Sequence, residues 1–306
     1  MNSAESEPAL IGIDWGTTSL RAFLIDACGD VLDSFSSKEG IMHVPEKNFD
    51  AVFDRLVESL NISSKLPIIA SGMITSRNGW VETPYVSMPT GPKNLAQSLA
   101  AHQTQNGSTI HFVTGATTED NGGPDVMRGE ETQIIGSAAL GMSDGIFVMP
   151  GTHSKWVQVA DGQIQDFSTY MTGEVFSTLK DHTILGTLME AGEFDIDAFE
   201  SGVIRAQSPC ANLLHDLFHV RTLPLMGKIH GKQAGDYLSG LLIGTELSSA
   251  MKDLGTIDEV FVVGRDDLSD RYEVALRASK IRCRRAPDDI AAKGHFLIAQ
   301  AAGLVS

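Results

Sequence analysis

The sequence is short of cysteine and of positive charge, and it has no long apolar run. Its three cysteines, Cys28, Cys210 and Cys283, are odd in number and far apart, with no CxxC pair and no Cys/His ligand spacing. That excludes a disulfide framework and a cysteine-based zinc site, and it fits a reducing cytoplasm. Lysine and arginine number 23 against 39 aspartates and glutamates, a formal net charge of −16. A surface of that sign does not displace counterions from nucleic acid, and it is repelled by anionic membranes. An anionic small molecule is compatible only where a local basic or amide-lined pocket overrides the global field. No stretch approaches the roughly 20 apolar residues that cross a bilayer, and "MNSAESEPAL" lacks the charged-then-apolar layout of a secretory leader. Familiar motifs are missing too. "GKIHGKQ" has neither the spacing nor the hydroxyl of a P-loop, no GxGxxG follows a strand, and there is no GxSxG or HExxH. The nine histidines are scattered, which suggests packed or surface roles.

The order of elements is α/β, and 306 residues suffice for two domains. After a loose tail over residues 1–8, "LIGID", "LRAFLID" and "VLDSFSS" read as three strands joined by tight turns. "NFDAVFDRLVESLN" has helical apolar spacing with Asn48 as its cap, and "LPIIASG" reads as a buried strand. "KNLAQSLAAHQ" reads as a helix, "TIHFVTGA" as a strand and "PYVSMPTGPKN" as loop. A second round follows. The helix "GEETQIIGSAALG" precedes "GIFVMPGTHSKWVQVADGQIQDFS", which repeats the opening pattern of strand, Gly-Thr turn and strand. Helices are expected at "FDIDAFESGVIRA", "ANLLHDLF", "AGDYLSGLLIGTELSSAMKDLG", "DRYEVALRAS" and "AAKGHFLIAQAAGLV", with a buried strand at "EVFVVG". The predicted division is residues 1–125 and 126–306, with the last helix packing back on the first lobe.

Between the first two strands lies Asp14-Trp15-Gly16-Thr17-Thr18-Ser19. A plain hairpin with an aspartate satisfying turn amides accounts for it. So does a phosphate cradle: Gly16 lets a ligand approach the turn amides, and the hydroxyls add donors. Asp14 beside phosphates then requires a cation, and Mg2+ takes carboxylate, water and phosphate oxygens. The second Gly-Thr turn, Gly151-Thr152, makes a two-sided nucleotide site in a cleft between lobes the fuller reading.

"IGIDWGTTSLRAFLID" and "FVMPGTHSKWVQV" resemble the two phosphate motifs of the sugar-kinase, heat-shock-protein and actin superfamily, and "EVFVVGRDDLSDRYEVAL" stands where its adenosine motif belongs. "SGMITSRNGWVETPYVSMP", "DVMRGEETQIIG", "MPGTHSKWV", "YMTGEVFSTL" and "YLSGLLIGTEL" together resemble the 2-dehydro-3-deoxygalactonokinase family, from about residue 10 to the C-terminus. The resemblance implies two ribonuclease-H-like lobes of mixed sheets around a cleft, an actin-like ATPase fold. It also implies transfer of the ATP γ-phosphate to the 6-hydroxyl of 2-dehydro-3-deoxy-D-galactonate. One departure is Arg265-Asp266-Asp267 after Gly264, where such kinases carry small residues against adenine.

On this reading Asp14 organises magnesium through water, Gly16, Thr17 and Thr18 hold the β/γ-phosphates, and Gly151 and Thr152 supply the second cradle. Gly264 lies on the adenine side. Lys155 neutralises phosphate charge, unless it is a solvated strand lysine. The proton acceptor is expected at the start of "GEETQIIG", at Glu130 before Glu131, with Asp125 behind them. Simple placement of acids at a helix N-terminus explains the same letters, and amides there are expected to keep such a base ionised at neutral pH. Arg77 and Arg128 are candidates for the sugar-acid carboxylate. Trp80 and Tyr85 are candidates for a pocket wall or for core, and Glu174 for a sugar hydroxyl or a helix cap. Gly240 and Gly244 in "YLSGLLIGTEL" allow close packing on the adenosine-motif strand or on a partner helix, a structural role; the partners expected are ATP, a small sugar acid and a second copy in a homodimer. The rivals are a kinase of a neutral sugar, a non-catalytic sugar sensor on the same fold and an actin-like switch ATPase. The first strand begins too early to leave room for a sensor's N-terminal DNA-binding helices.

Overall fold

The computed structural model describes residues 7–60, 66–119, 122–287 and 289–306. The opening meander forms as expected, from β1 (Pro8–Trp15), β2 (Leu20–Asp26) and β3 (Val31–Ser37). Both pairings are antiparallel, with Asp14 opposite Arg21. Residues 1–6 of the expected tail lie outside the described residues, and Pro8 already opens β1. In α1 (Phe49–Ser59) the Asn48 side chain accepts the Ala51 amide at 3.2 Å, and the helix buries Phe49, Val52, Phe53 and Leu56. The apolar run at residues 66–72 gives β4 (Ile68–Ser71), parallel to β1.

Two expectations fail in the next stretch. Inside the supposed loop, β5 (Tyr85–Ser87) pairs with a later strand. The supposed helix at 93–103 is helical only in α2 (Pro92–Gln97), and Ala100–Gln103 forms a strand, β6. Ser98 Oγ closes the last turn of α2 on Leu95 O at 2.9 Å. The turn Thr104 N to Ser108 O then returns the chain as β7 (Thr109–Phe112), antiparallel to β6. Hairpin pairing thus overrides the helix propensity of the alanines. There follow β8 (Gly115–Thr118), β5's partner, then β9 (Asp125–Met127) and α3 (Glu130–Ala138).

The second round begins with β10 (Gly145–Met149), β11 (Ser154–Ala160) and β12 (Gln163–Tyr170). The helices α4 (Thr172–His182), α5 (Ile196–Ala206), α6 (Leu213–Asp216), α7 (His219–Leu225) and α8 (Gly231–Leu254) come next. Last are β13 (Glu259–Val262), α9 (Asp266–Ala278), β14 (Arg282–Arg285) and α10 (Ile290–Ala301). The sheets run β3-β2-β1-β4-β7-β6, β12-β11-β10-β13-β14 and β5-β8-β9.

The chain forms two compact units. The first comprises residues 1–144, 158–167 and 287–306, and the second residues 145–157 and 168–286. Residues 126–144, placed beyond the boundary by sequence, therefore belong to the first unit, together with α10. So does the tip of the β11–β12 hairpin, where Ile164 and Thr90 exchange backbone hydrogen bonds of 2.9 and 2.8 Å.

In the first unit the two-residue period of β1 sorts its side chains. Ile11, Ile13 and Trp15 pack with α1, whereas Leu10 packs in the cluster that holds Ala291, Phe296 and Ile298 of α10. α10 also lies against α3, backbone to backbone. A Cβ on Gly136 would come within 2.0 Å of Ile290 O, and one on Gly294 within 1.9 Å of Thr132 O.

In the second unit α8 crosses α5 in the same manner. A Cβ on Gly240 would lie 2.0 Å from Phe199 O, and one on Gly244 would lie 2.9 Å from Ala206 Cβ. The small-residue face of α8 thus meets a partner helix, α5, and not the adenosine-motif strand. Gly235, one turn earlier, has nothing within 4 Å of its would-be Cβ. Gly240→Ala is therefore expected to destabilise by about 3 kcal/mol, since backbone has little freedom to retreat. Gly235→Ala is expected to stabilise by about 0.5–1 kcal/mol through helix propensity. Thermal denaturation of the two variants should show Tm moving in opposite directions.

Candidate active site

In the first unit the site is built on the ends of β1 and β4. The turn after β1 closes with Gly16 N on Ser19 O at 2.9 Å. Its carbonyls are taken from behind, Gly16 O by Ile41 N at 3.0 Å and Thr17 O by Met42 N at 3.2 Å. Thr17, Thr18 and Ser19 face solvent, and the Thr17 and Thr18 amides donate to no group among the described residues. Carbonyls turned inward and amides left outward make a turn that suits an anion. The glycine that the turn requires is Gly40. Its Cβ would stand 2.4 Å from Ser19 N and Thr17 O, while one on Gly16 would meet nothing closer than 3.5 Å.

Asp14 accepts from Arg21 Nη2 through Oδ2 at 2.6 Å. One carboxylate beside outward amides, its second oxygen accepting no hydrogen bond among the described residues, is a donor set that fits Mg2+, which completes its shell with water and phosphate oxygens. Asp14 also marks where three segments converge. A Cβ on Gly72, at φ +98°, would lie 2.7 Å from Trp15 O and 3.3 Å from Asp14 Oδ1. One on Gly129, at φ +108°, would lie 3.0 Å from Gly72 Cα. Both positions use backbone angles that L side chains avoid.

Gly129 precedes α3, and the two glutamates behind it fold back on the chain. Glu130, half-buried, accepts the Arg128 amide at 2.9 Å. Glu131, fully buried, accepts the Gly129 amide at 2.7 and 3.0 Å and the Thr132 hydroxyl at 3.2 Å. The two candidate bases therefore differ in access, and only Glu130 is open to an acceptor. Asp125 lies on β9 with its carboxylate on the Val126 amide at 2.7 Å.

Of the acceptor-side candidates, Arg128 donates from Nη1 to Thr75 and Thr83 hydroxyls at 2.7 Å each and from Nη2 to Thr83 O at 3.1 Å. Its guanidinium lies 4.3 Å over the exposed Tyr85 ring, and its buried Nε has no partner. It meets no carboxylate among the described residues, so its charge is held by neutral groups. Arg77 is exposed and makes no hydrogen bond or ion pair among the described residues. Trp80 is core rather than pocket wall. It lies against Trp15, Phe49 and Phe112, with centroids 6.2, 6.0 and 6.1 Å away.

In the second unit Gly151 and Thr152 follow β10, and α4 begins against them. A Cβ on Gly173 would lie 2.4 Å from Gly151 O, and the Glu174 amide donates to Thr152 O at 3.0 Å. Glu174 pairs with His153 Nε2 at 2.5 Å, in the first turn of α4. Lys155 is no solvated lysine. It is 4% exposed and donates to His153 O at 3.2 Å. Gly264 packs on Pro150, whose Cδ would be 3.3 Å from an added Cβ. Arg265 pairs with Asp267 at 3.1 Å, so one of the departing charges is internally neutralised. A separate cluster, His215, Asp216 and His219, has ligand-type atoms within 4.8 Å of one another. Asp216 already accepts Arg205 at 2.8 and 2.5 Å and the Asn212 amide at 2.9 Å, so a cation is built in.

The sequence reading missed Gly40, Gly72, Gly129 and His295. His295, on α10 and fully buried, touches Ser71 Oγ through Nε2 at 2.9 Å, and its Nδ1 has no partner. A Cβ on Gly12 would lie 2.8 Å from that Nδ1, so Gly12 makes the room. Burial holds the His295 pKa down at about 4. Burial, with the Glu130 charge adding to it, raises Glu131 to about 7, against the expectation that helix amides would keep it ionised. The two groups bias stability in opposite senses. From pH 4 to 6.5 the unfolded chain binds the histidine proton more tightly, so His295 adds stability as pH rises and loses it on acidification. From pH 4.5 to 7 the folded chain binds the Glu131 proton more tightly, so stability falls as pH rises. Between pH 4.5 and 6.5, the unfolding free energy of Glu131→Gln from urea denaturation should gain about 1.4 kcal/mol per pH unit relative to the parent, and that of His295→Asn should lose as much.

The family model described as 2-keto-3-deoxy-galactonokinase matches residues 14–298. A 2-dehydro-3-deoxygalactonokinase of Rhizobium meliloti (strain 1021) is 38% identical over 288 residues, 92% of this chain and 93% of that protein. The 2-dehydro-3-deoxygalactonokinase of Escherichia coli (strain K12) is 37% identical over 270 residues, 88% of this chain and 89% of that one. A crystal structure from Sinorhizobium meliloti, described as a 2-dehydro-3-deoxygalactonokinase protein, superposes with a TM-score of 0.88 at 35% identity, covering 96% of this chain and 98% of that one. The mixed sheets with helices make an actin-like ATPase fold. The chain belongs to the 2-keto-3-deoxy-galactonokinase family.

Proposed function

We propose that this chain is an ATP-dependent kinase that phosphorylates 2-dehydro-3-deoxy-D-galactonate on its 6-hydroxyl. The observation that carries the reading is the meeting, at the Gly72–Gly129 contact, of Asp14, Glu130 and an arginine whose charge meets only neutral partners among the described residues. A kinase of a neutral sugar has no use for that charge, whereas a sugar acid brings the missing anion.

Phosphoryl transfer needs positioning, charge stabilisation and a proton acceptor. The Thr17 and Thr18 amides and hydroxyls, with Gly16, hold the β/γ-phosphates, and Gly151 and Thr152 are the second Gly-Thr phosphate turn. Lys155 adds positive charge behind them, and Gly264 borders the adenine. Asp14 would hold Mg2+, and the ion when bound would neutralise phosphate charge. Arg21, opposite Asp14, keeps that carboxylate in place. Glu130 accepts the hydroxyl proton. Arg77 and Arg128 take the acceptor's carboxylate, Tyr85 flanks it under the Arg128 guanidinium, and Glu174 holds the His153 turn. Among the described residues no helix is long and apolar enough to cross a membrane. Three free thiols suit a reducing cytoplasm.

Purified protein with ATP, magnesium and 2-dehydro-3-deoxygalactonate should release ADP well above glucose and gluconate controls. Turnover equal to those controls would overturn the reading. Asp14→Ala should remove turnover with the circular dichroism spectrum unchanged. Glu130→Gln should lower kcat by roughly 10²- to 10⁴-fold, the range of a lost general base. Arg77→Ala should raise KM for the sugar acid by roughly 10- to 100-fold, as for a lost charged hydrogen bond, and leave KM for ATP in place.

A further inference from the structure

Glu131 stands beside the base, fully buried, and the roles assigned so far do not use it. A buried carboxylate without a cation is costly unless several donors hold it. Here the donors are local. Both its oxygens reach the Gly129 amide, and Oε1 also takes the Thr132 hydroxyl. Gly129 caps α3, and no side chain serves it in the ordinary way, from the cap position itself. Glu131 reaches back two residues and clamps the cap amide. That amide belongs to a residue at φ +108° whose Cα side abuts Gly72, which in turn abuts Asp14. The residues on either side of the clamped amide are Arg128 and Glu130.

We propose that Glu131 is a positioning residue. By holding the Gly129 amide it fixes the direction in which Arg128 and Glu130 leave the chain, and so sets the acceptor's carboxylate site and the base together. The inference rests on the sugar-acid kinase reading. It assigns the second glutamate of "GEETQIIG" to geometry, and it needs an acceptor oxygen at that place rather than a negative charge. Glutamine supplies the oxygen, and alanine does not.

Three measurements on the full chain test this. First, Glu131→Ala should lower kcat at least 30-fold and raise KM for the sugar acid at least 5-fold, with KM for ATP within 2-fold. A loss of folded protein alone would lower the apparent kcat and leave both KM values where they were. Second, Glu131→Gln should restore kcat to within about 3-fold of the parent. Third, hydrogen exchange of the peptide spanning residues 128–132 should quicken at least 10-fold in the alanine variant and stay near the parent rate in the glutamine one. A kcat for Glu131→Ala within 2-fold of the parent overturns the proposal. So do equal shifts of both KM values, and so does a glutamine variant as impaired as the alanine one. The exchange measurement needs no substrate. If the parent turned over no sugar acid while exchange still separated the two variants, the kinase reading would fall and the clamp would stand.

Discussion

Backbone meeting backbone without side chains between is the constraint on which the candidate site depends. Gly72 ends β4 against the Trp15 carbonyl, and Gly129 opens α3 against Gly72. Neither place has volume for a methyl group, and both use backbone angles that only glycine adopts cheaply. The result is that three segments far apart in sequence approach more closely than packed side chains permit. Asp14 from the first, the Ser76–Arg77 turn after the second and Glu130 from the third are all set by these approaches. α10 closes the arrangement from behind through Gly12 and Gly294.

Electrostatics then work on a rigid frame. The net charge of −16 would repel ATP and a sugar acid alike. The candidate site offers outward amides at the Thr17–Thr18 turn, and guanidiniums of Arg77 and Arg128 that meet no carboxylate among the described residues. Arg128 illustrates the economy of this. Two threonine hydroxyls, a carbonyl and an aromatic face orient it, and none of them cancels its charge. An arginine in a carboxylate salt bridge, such as Arg205 with Asp216, is oriented as well but has no charge to offer.

Much of the fold was legible because it is written in local periodicities. β2, β3 and α1 fall where alternation, turn residues and the Asn48 cap place them. Residues 100–103 were misread because two alanines favour a helix, and only pairing with β7 makes them a strand. The halves of the site were legible in part. Asp14, the Thr17–Thr18 turn and Glu130 sit in motifs with their own chemistry, and "GEE" advertises a helix start. What distinguishes Glu130 from Glu131 is burial, a tertiary property that two adjacent glutamates do not advertise. His295 carried no signal among nine scattered histidines, and Gly40 none among thirty glycines. Their importance lies in what they fit against, which is tertiary. Trp80 was ambiguous for the same reason, since an aromatic in a substrate-like motif can serve the pocket or the ring cluster behind it.

That ring cluster also divides the chain's fluorophores. The three tryptophans are Trp15 and Trp80, in edge contact within the first unit, and Trp156, alone among them in the second. Trp156 donates its indole proton to the buried Glu246 carboxylate at 2.8 Å, whereas Trp15 donates to the Glu39 carbonyl at 2.8 Å. The two units thus carry indoles in different electrostatic surroundings. Emission from a Trp156→Phe protein would report the first unit by itself, and a chain keeping only Trp156 would report the second.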